Sequence, residues 1–595
     1  MSGGFRDGKL EAACSVALAA TVLGLPFEFY FFGRRQSLAT SLKLELVVFL
    51  ALWLALVLAR AGRDGARAAG HELATLLPRR LQLALIAFLA VQALAAAFAP
   101  ELRGNAAKAA VKWCVGAAIL VATADLARRA GPRLGTRLMM ALALAGSLTA
   151  AVGLGDRLGL GFCRRVIELF QPELYYTEDL TRLSSTMEYP TTAASFLTAS
   201  LLASVALVSQ RLEPARRRRR AAAFAGAAVL QGVALTLTFS RGAGFAALVA
   251  LAAVAWLGPK ILALPVLRYA AAGVVGSFLV VQGSLLFLAP AEPRLDSASS
   301  QRRIARFGHA AIREIVDLEP GREYRETISV LNESSRVWRR DGFGVGYRWS
   351  SIAKRERSLV REAAMFREDV PPGQERRLEV RLQTPAEAGE YMLIWFVVHR
   401  DPDLEELPWS FAPAILCSIR PAGSLPQPWS ARARDYMTAI RTERNELPLD
   451  LVPSRWDLWR AALRMFRARP LLGIGPDNFR LLKWKYMDIP KGDDTILANS
   501  LYFEFLACSG LVGFLSLAWL LLELGRAVAR RSAAALSPAE QQLAWFGVAF
   551  LAGFLVHGTV DYFLKFTPTF LLFWITMGML AAPAQGPGAF DAHRL

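Results

Sequence analysis

Blocks of consecutive apolar residues, each long enough to cross a lipid bilayer, are the feature that most constrains this 595-residue chain. A membrane-spanning helix needs about 20 mostly apolar residues, because its backbone must satisfy its own hydrogen bonds inside the hydrocarbon core. The blocks cover residues 12–32, 44–59, 83–99, 109–126, 138–154, 192–208, 221–238, 244–257, 269–288, 501–522, 543–556 and 570–582. They predict a polytopic α-helical membrane protein with about 12 transmembrane helices.

Basic residues are concentrated in the short loops on one side of these blocks. The formal net charge is +19, and arginines in short loops favour the cytoplasmic side of a membrane. We therefore expect the N-terminus, the C-terminus and the arginine run at 216–220 to be cytoplasmic, with that run against anionic membrane lipids. No nucleic-acid partner is predicted, because aromatic residues do not interleave with the basic ones. The other basic loop residues are Arg60, Arg63, Arg67, Arg79, Arg80, Arg128, Arg129, Arg526, Arg530 and Arg531.

A long stretch from 291 to 499, predicted to lie on the outer side, lacks the apolar blocks. Short β-rich segments such as EYRETISVLN and EYMLIWFVVHR alternate there with Gly, Pro and Asp turn signals. Strands of this length and spacing predict an antiparallel β-sandwich of the immunoglobulin-like type, inserted at residues 308–422. Its aromatic residues are expected to form the core rather than a sugar-binding platform, since aromatics fill sandwiches of this size. They are Trp338, Tyr347, Trp349, Tyr391 and Trp395.

The segment 454–480 predicts an amphipathic helix that ends at Pro470. The residues Trp456, Trp459, Leu463 and Phe466 recur at helical spacing, and arginines occupy the other positions. We expect this helix to lie on the outer leaflet or over a membrane cavity. The chain then divides into an N-terminal transmembrane bundle (1–290), the β-sandwich (308–422), an amphipathic-helix region (423–500) and C-terminal transmembrane helices (501–595).

Arg241 stands at the turn between two apolar blocks, within the segment TFSRGAG at 238–244. A guanidinium beside the hydrocarbon region is costly, and its planar array of donors suits a phosphate group. The alternative is a side chain that only extends to the membrane surface. Arg241 is therefore a candidate ligand for an anionic substrate.

Four segments of the chain resemble the O-antigen ligase and O-antigen polymerase superfamily of bacterial envelope glycosyltransferases. They are TRLSSTMEYPTTAASFL at 181–197, TFSRGAG at 238–244, SRWDLWRAAL followed by RPLLGIGPDNF, and ANSLYFEFLACSGLVGF at 498–514. The resemblance implies a multi-pass protein of the bacterial inner membrane. It also implies transfer of an undecaprenyl-diphosphate-linked glycan, on the periplasmic side, to a glycan or lipid A-core type acceptor.

Three arginines fall on the resembling segments and are expected to bind the donor diphosphate: Arg182, Arg241 and Arg455. Cations that hold a diphosphate also stabilise its charge as it leaves. The enzyme is thus predicted to be a metal-independent, inverting-type glycosyltransferase without a cofactor. The spaced pair Asp401 and Asp403 lies in a Pro-containing turn, so we interpret it as turn chemistry rather than a metal site.

The sequence departs from the superfamily at one position. Where the ligases carry a His that is proposed to activate the acceptor hydroxyl, this chain has Asn499. An amide cannot act as a general base at neutral pH. Glu188 and His557, each near the outer end of a span, are the remaining catalytic candidates besides Asn499. His557 lies four residues before Asp561, on one helix face, which fits either a base or an interfacial helix cap.

The missing His leaves two further functions open. A member of the superfamily that lost transfer could bind or transport a lipid-linked glycan without catalysis. A transporter is expected to show inverted repeats or charged residues inside its spans, and neither is evident. A scaffolding role, in which the β-sandwich binds envelope partners, is the third hypothesis.

Overall fold

The structure, a computed structural model, describes residues 2–31, 40–170, 175–177, 180–208, 214–257, 305–307, 315–332, 337–352, 361–400, 404–411, 415–423, 455–487, 495–534 and 537–582. The chain divides into two compact units. The first contains residues 1–290, 462–479 and 497–595, and the second contains residues 291–461 and 480–496. The predicted span at 269–288 and the pair Asp401 and Asp403 lie outside the described residues.

The first unit is helical. Its helices are α1 (Ser2–Gly24), α2 (Ser41–Asp64), α3 (Ala66–Ala74), α4 (Arg79–Ala97), α5 (Arg103–Ala130), α6 (Pro132–Arg157), α7 (Gly161–Phe170), α8 (Pro190–Val208), α9 (Pro214–Leu237) and α10 (Arg241–Leu257). The chain returns to this unit with the second half of α11 (Arg455–Ala468), followed later by α13 (Leu501–Ala534), α14 (Pro538–His557) and α15 (Thr567–Ala581). A short antiparallel pair, β1 (Tyr175–Thr177) with β2 (Leu180–Arg182), precedes α8.

Eight of the described helices are long and apolar enough to cross a membrane: α2, α4, α5, α6, α8, α9, α13 and α14. Shorter apolar helices coincide with the predicted spans at 244–257 and 570–582. The predicted fold class, a polytopic helical membrane protein, is therefore confirmed. The first helix ends at Gly24 rather than continuing to residue 32, because the residue before Pro26 is driven away from helical dihedral angles.

Helix α8 forms the centre of the first unit. In its most apolar window 89% of the residues are buried, against 17% in α2. Apart from Phe196, the side chains of α8 are small or medium-sized, and the helix packs against α6, α9, α10 and α14. Leu and Val side chains on α2 stay exposed instead, as expected for a helix that faces lipid.

Helix α13 is interrupted at Gly510, whose dihedral angles (φ 64°, ψ −165°) are not helical. The loop at 470–478 replaces the hydrogen bonds that the interruption removes. The amides of Ile474 and Gly475 donate to the carbonyls of Ala507 (3.1 Å) and Cys508 (2.8 Å), and the amides of Leu511 and Val512 donate to those of Pro470 (2.8 Å) and Leu471 (3.2 Å). An added Cβ at Gly510 would lie 2.4 Å from the backbone of Leu471, so only glycine fits there.

The second unit contains a β-sandwich. One sheet has the order β4 (Ile315–Leu318), β11 (Ile415–Ile419), β9 (Gly389–Arg400), β6 (Phe343–Ser351) and β7 (Arg361–Met365), with β10 (Leu404–Phe411) also paired to β9. The other sheet has the order β3 (Ala305–Phe307), β5 (Glu323–Asn332) and β8 (Glu375–Gln383). All pairs are antiparallel except β4 with β11.

One hydrophobic core joins side chains of both sheets. The prediction that the aromatic residues belong to this core is confirmed, because each is at most 7% exposed. They are Trp338, Tyr347, Trp349, Tyr391 and Trp395. The assignment of the sandwich to the immunoglobulin-like type stays a prediction.

The predicted apolar face of the amphipathic helix is wrong. In α11 the buried residues are Leu458, Ala461, Ala462 and Met465, whereas Trp456 is 67% exposed. The two alanines give this side of the helix a flat surface that permits close packing. The large aromatic residues recur at the same helical spacing on the neighbouring side, which misled the sequence analysis. The next helix is α12 (Phe479–Met487).

Candidate functional site

The turn between α9 and α10 is held against the segment that precedes α8. The amide of Leu183 donates to the carbonyl of Leu237 (2.9 Å), and Arg182 Nε donates to the carbonyl of Thr238 (3.0 Å). Phe239 adopts a left-handed conformation (φ 52°), which is uncommon for an aromatic residue. Arg241 follows as the exposed first residue of α10. Two predicted diphosphate ligands, Arg182 and Arg241, are thus attached to one turn at a helix N-terminus, where anions are favoured.

The same turn packs directly on the end of α14. A Cβ added to Gly242 would lie 2.4 Å from Val560 Cγ2 and 3.6 Å from His557 Cδ2. Glycine at this position therefore permits the close approach of α10 to the 557–560 turn. His557, a predicted catalytic residue, consequently lies beside the segment that carries Arg241.

His557 has polar groups at both ring nitrogens. Its Nδ1 is 3.2 Å from Ser195 Oγ on α8, and its Nε2 is 3.7 Å from Asp561 Oδ2. The ring is stacked on Phe563, with centroids 5.1 Å apart, and His557 is only 4% exposed. Asp561 Oδ2 is buried without a hydrogen bond, so it can accept one from the imidazole after a small movement. This pairing of carboxylate and imidazole is the arrangement that orients a general base.

Asn499 occupies the turn that leads into α13. Its backbone is left-handed (φ 48°), a conformation that asparagine tolerates better than most residues. The buried Glu504 stabilises this turn, because its Oε2 accepts a hydrogen bond from the amide of Ala498 (2.9 Å). The amide of Leu501 in turn donates to the carbonyl of Gly558 (2.8 Å). The Asn499 turn is thus attached to the 557–561 turn, on which the segment TFSRGAG at 238–244 also packs.

A cavity of about 30 Å³, room for one or two water molecules, adjoins His557 between α8, α14 and α15. Apart from His557, Ser195 and two threonines, its lining is apolar: Ala199, Leu202, Phe550, Gly553, Phe554, Phe563, Leu572 and Phe573.

The other two predicted site residues lie elsewhere. Glu188 lines a separate cavity of about 20 Å³, together with Glu28. Arg455 is the exposed first residue of α11 and belongs to the second unit. The structure therefore brings together the segments of Arg182, Arg241, Asn499 and His557. In the described part of the chain, no group of three His, Cys, Asp or Glu side chains is placed to hold a metal ion.

Several residues that support the site were not identified from the sequence. Lys565 Nζ forms an ion pair with Asp477 Oδ1 (2.6 Å), and Lys112 Nζ donates to the carbonyls of Leu564 (3.0 Å) and Lys565 (2.6 Å). These contacts fix the 3₁₀ turn Phe563–Lys565 that carries the stacking partner of His557. Burial in this region raises the pKa of the Tyr562 phenol well above its usual value. In the sequence, only the position of charged residues such as Lys112 and Lys565 beside apolar blocks could have indicated that they support the site.

Residues 391–518 match the family model described as O-Antigen ligase (Wzy_C). The match includes the turn of Asn499 and all of α11. No curated protein sequence matches the chain. Among solved structures, a Pseudomonas fluorescens alkylpurine DNA glycosylase, AlkC bound to DNA containing an abasic site analog, is similar at 10% identity, over 57% of this chain and 97% of that one. Its TM-score of 0.15 is too low to support an inference about fold.

Proposed function

We propose that this chain, whose residues 391–518 match the O-antigen ligase family model, transfers an undecaprenyl-diphosphate-linked glycan to an acceptor sugar. The acceptor is a growing glycan or a lipid A-core type molecule. Transfer takes place at the outer face of the bacterial inner membrane. The observation that carries this proposal is the attachment of Arg182, Arg241 and His557 to mutually hydrogen-bonded or closely packed turns at one end of the helical unit.

In this proposal the arginines hold the donor. Arg241 stands at the N-terminus of α10, where the helix dipole and the guanidinium act on an anion in the same direction. Arg182 stiffens the turn through the hydrogen bond from its Nε to the carbonyl of Thr238. Its guanidinium adds a second positive charge to the same turn. As the bond from the anomeric carbon to the diphosphate oxygen breaks, both cations stabilise the departing charge. Arg455 stays a third candidate ligand, on the grounds of its sequence motif.

His557 is proposed as the base that the superfamily places at the position of Asn499. In this proposal Nε2 carries the ring proton and faces Asp561. Nδ1, which lies 3.2 Å from Ser195 Oγ, accepts the proton of the acceptor hydroxyl through Ser195. The acceptor oxygen then forms the new bond to the anomeric carbon, on the face opposite the diphosphate. Asn499 orients the acceptor by a hydrogen bond. Glu188 lies in a different cavity, which supports a binding role for it rather than the role of base.

A second candidate function is binding or transport of the lipid-linked glycan without transfer. The replacement of the superfamily His by Asn499 favours it, because a protein that lost catalysis has no need of a base at that position. The two functions differ in one measurable property. Only a transferase consumes donor in the presence of acceptor.

The test is a transfer assay with the full chain in lipid nanodiscs, an undecaprenyl-diphosphate oligosaccharide and a set of acceptor glycans. We expect Arg241→Ala to lower kcat/KM roughly 10- to 100-fold, the equivalent of one charge-assisted contact of about 1.5–3 kcal/mol. Arg241→Lys should recover only part of that loss, because the planar array of donors is absent. Arg67→Ala, at an exposed position of α3, is the matched control.

Two outcomes contradict the proposal. Equal activity of Arg241→Ala and Arg67→Ala would remove Arg241 from the donor site. Saturable binding of the donor by the wild type, without turnover on any acceptor, would replace transfer with the binding function.

A further inference from the structure

The loop at 470–478 carries an acidic residue, Asp477, that has no part in the transfer steps proposed above. Its Oδ1 accepts a hydrogen bond from Lys565 Nζ at 2.6 Å. The side chain of Asp477 is 14% exposed and that of Lys565 is 33% exposed. Because solvent and salt screen such a partly buried pair less than a surface pair, the contact can hold two segments in one geometry.

Helix α5 holds Asp477 in place from the other side. The backbone of Asp477 is left-handed (φ 61°), a conformation that aspartate tolerates better than most residues. Asn105 Nδ2, on α5, donates to the carbonyl of Asp477 (3.1 Å) and to Oδ1 of the buried Asn478 (2.9 Å). Asn478 Nδ2 in turn donates to the carbonyl of Glu101 (3.0 Å). The position of the Asp477 carboxylate is therefore fixed before it contacts Lys565.

Lys565 belongs to the turn that carries the stacking partner of His557. It is the last residue of the 3₁₀ turn that begins at Phe563. The ring of Phe563 is stacked on the imidazole of His557, with an angle of 23° between the ring planes. A displacement of Lys565 would therefore reach the imidazole through one short turn.

The loop that carries Asp477 also fixes the start of α13. The amides of Ile474 and Gly475 donate to carbonyls of the first part of that helix, and Asn499 lies in the turn just before it. Asp477 follows Gly475 by two residues. One short loop thus contacts both the helix that sets the Asn499 turn and, through the Asp477 carboxylate, the turn that supports His557.

We propose that Asp477 is a positioning residue, which acts through Lys565 to hold the His557 imidazole in a fixed place relative to the Asn499 turn. It touches no substrate in this role. Its effect on catalysis rests on the proposed transfer function, in which His557 is the base and Asn499 orients the acceptor. The mechanical connection from Asp477 to His557 does not rest on that function.

The connection is tested by NMR on the full chain, labelled with ¹⁵N-histidine, in lipid nanodiscs. The signals of the His557 ring nitrogens are assigned by their absence from His557→Gln. Asp477→Asn removes the charge and keeps a residue that tolerates the left-handed backbone. We expect Asp477→Asn to shift the His557 signals.

A second variant approaches the pair from its other member. Lys565→Gln should also shift the His557 signals, and the double variant should shift them no further, because both substitutions remove the same interaction. Glu72→Gln is the matched control. It breaks an ion pair of equal length, 2.6 Å to Arg129, elsewhere in the helical unit, and should leave the His557 signals unchanged.

Kinetics and donor binding provide the second readout. We expect Asp477→Asn to lower kcat for transfer roughly 10- to 100-fold, since a small displacement of a catalytic group costs up to about that factor. The Kd of the undecaprenyl-diphosphate glycan should not change, because the arginines are intact. Glu72→Gln should keep the wild-type kcat. A general loss of structure would instead weaken donor binding together with kcat.

The outcomes separate this inference from the proposed function. Shifted His557 signals in Asp477→Asn and Lys565→Gln, without glycan transfer by the wild type, would support the connection and refute the transferase. Glycan transfer by the wild type, with His557 signals and kcat that neither variant changes, would overturn the positioning role alone. Equal shifts of the His557 signals in Glu72→Gln and Asp477→Asn would also overturn it, because the effect would then not be specific to this ion pair.

Discussion

At the scale of single residues, the proposed mechanism assigns to Asn499 and His557 two tasks that the resembling superfamily assigns to one position. The backbone of Asn499 is left-handed, a conformation in which Asn and His are both enriched. The replacement of His by Asn is therefore not required by the backbone. His557 lies on the adjoining turn with a carboxylate beside it, which supports a relocated base.

Replacement of His557 tests that relocation. We expect His557→Gln to lower kcat for transfer at least 100-fold, since general base catalysis is worth about 10²–10⁴. Donor affinity, measured by binding of the undecaprenyl-diphosphate glycan, should not change, because the arginines are intact. His71→Gln, at an exposed position of α3, is the control.

Restoration by a second substitution makes this test sharper. If the superfamily geometry is preserved, addition of Asn499→His to the His557→Gln variant should recover part of the lost kcat. Full activity of His557→Gln alone would show that His557 is a helix cap rather than the base.

At the scale of elements, the interrupted helix α13 determines where the Asn499 turn lies. The segment from Leu501 to Ser509 is fixed at Gly510 by the 470–478 loop and at its start by the carbonyl of Gly558. A displacement of the loop would therefore move the turn that carries Asn499.

Substitution of Gly510 should show this dependence. Gly510→Ala places a Cβ 2.4 Å from the Leu471 backbone. The dihedral angles at this position (φ 64°, ψ −165°) are nearly exclusive to glycine, and they cost another residue about 1–3 kcal/mol. We expect a lower unfolding temperature and reduced transfer. Gly525→Ala in the same helix is the control, because its Cβ meets only Leu551 Cδ2 at 3.6 Å. Equal unfolding temperatures for the two variants would contradict the role of the loop.

The sequence predicted the spans but not the interruption. Residues 501–522 form one continuous apolar block, and the carbonyl and amide groups that complete the interruption come from a distant loop. A hydrophobic pattern indicates which residues of one helix or strand are buried. It does not show which distant loop supplies hydrogen bonds to that helix, because those bonds depend on tertiary contacts. The same limit applies to Ser195: its hydroxyl is ordinary in the sequence, and only the packing of α8 on α14 brings it to His557. Arg241 was identifiable because charge beside apolar blocks is a local signal.

At the scale of the whole molecule, the orientation in the membrane follows from the arginines of the short loops. The proposed chemistry requires the ends of α9 and α14 and the β-sandwich to lie on the outer side. This orientation stays a prediction, based on the sequence alone.

Cysteine labelling tests the orientation. In a chain whose native cysteines are replaced by serine, we expect Ala386→Cys in the sandwich to react with an impermeant maleimide in intact spheroplasts. Ser532→Cys, at the exposed end of α13, should react only after lysis. The reverse pattern would invert the topology and place the proposed site in the cytoplasm.

The loop at 470–478 also limits how the protein can be divided or recombined. The chain reaches this loop only after the sandwich, yet the loop completes the hydrogen bonds of α13 within the first unit. A truncation that joined residue 290 directly to residue 497 would delete the loop and leave backbone groups unpaired in an apolar environment. A minimal membrane core must therefore retain residues 462–479, and a graft of the second unit from a relative must exchange two separate pieces of chain.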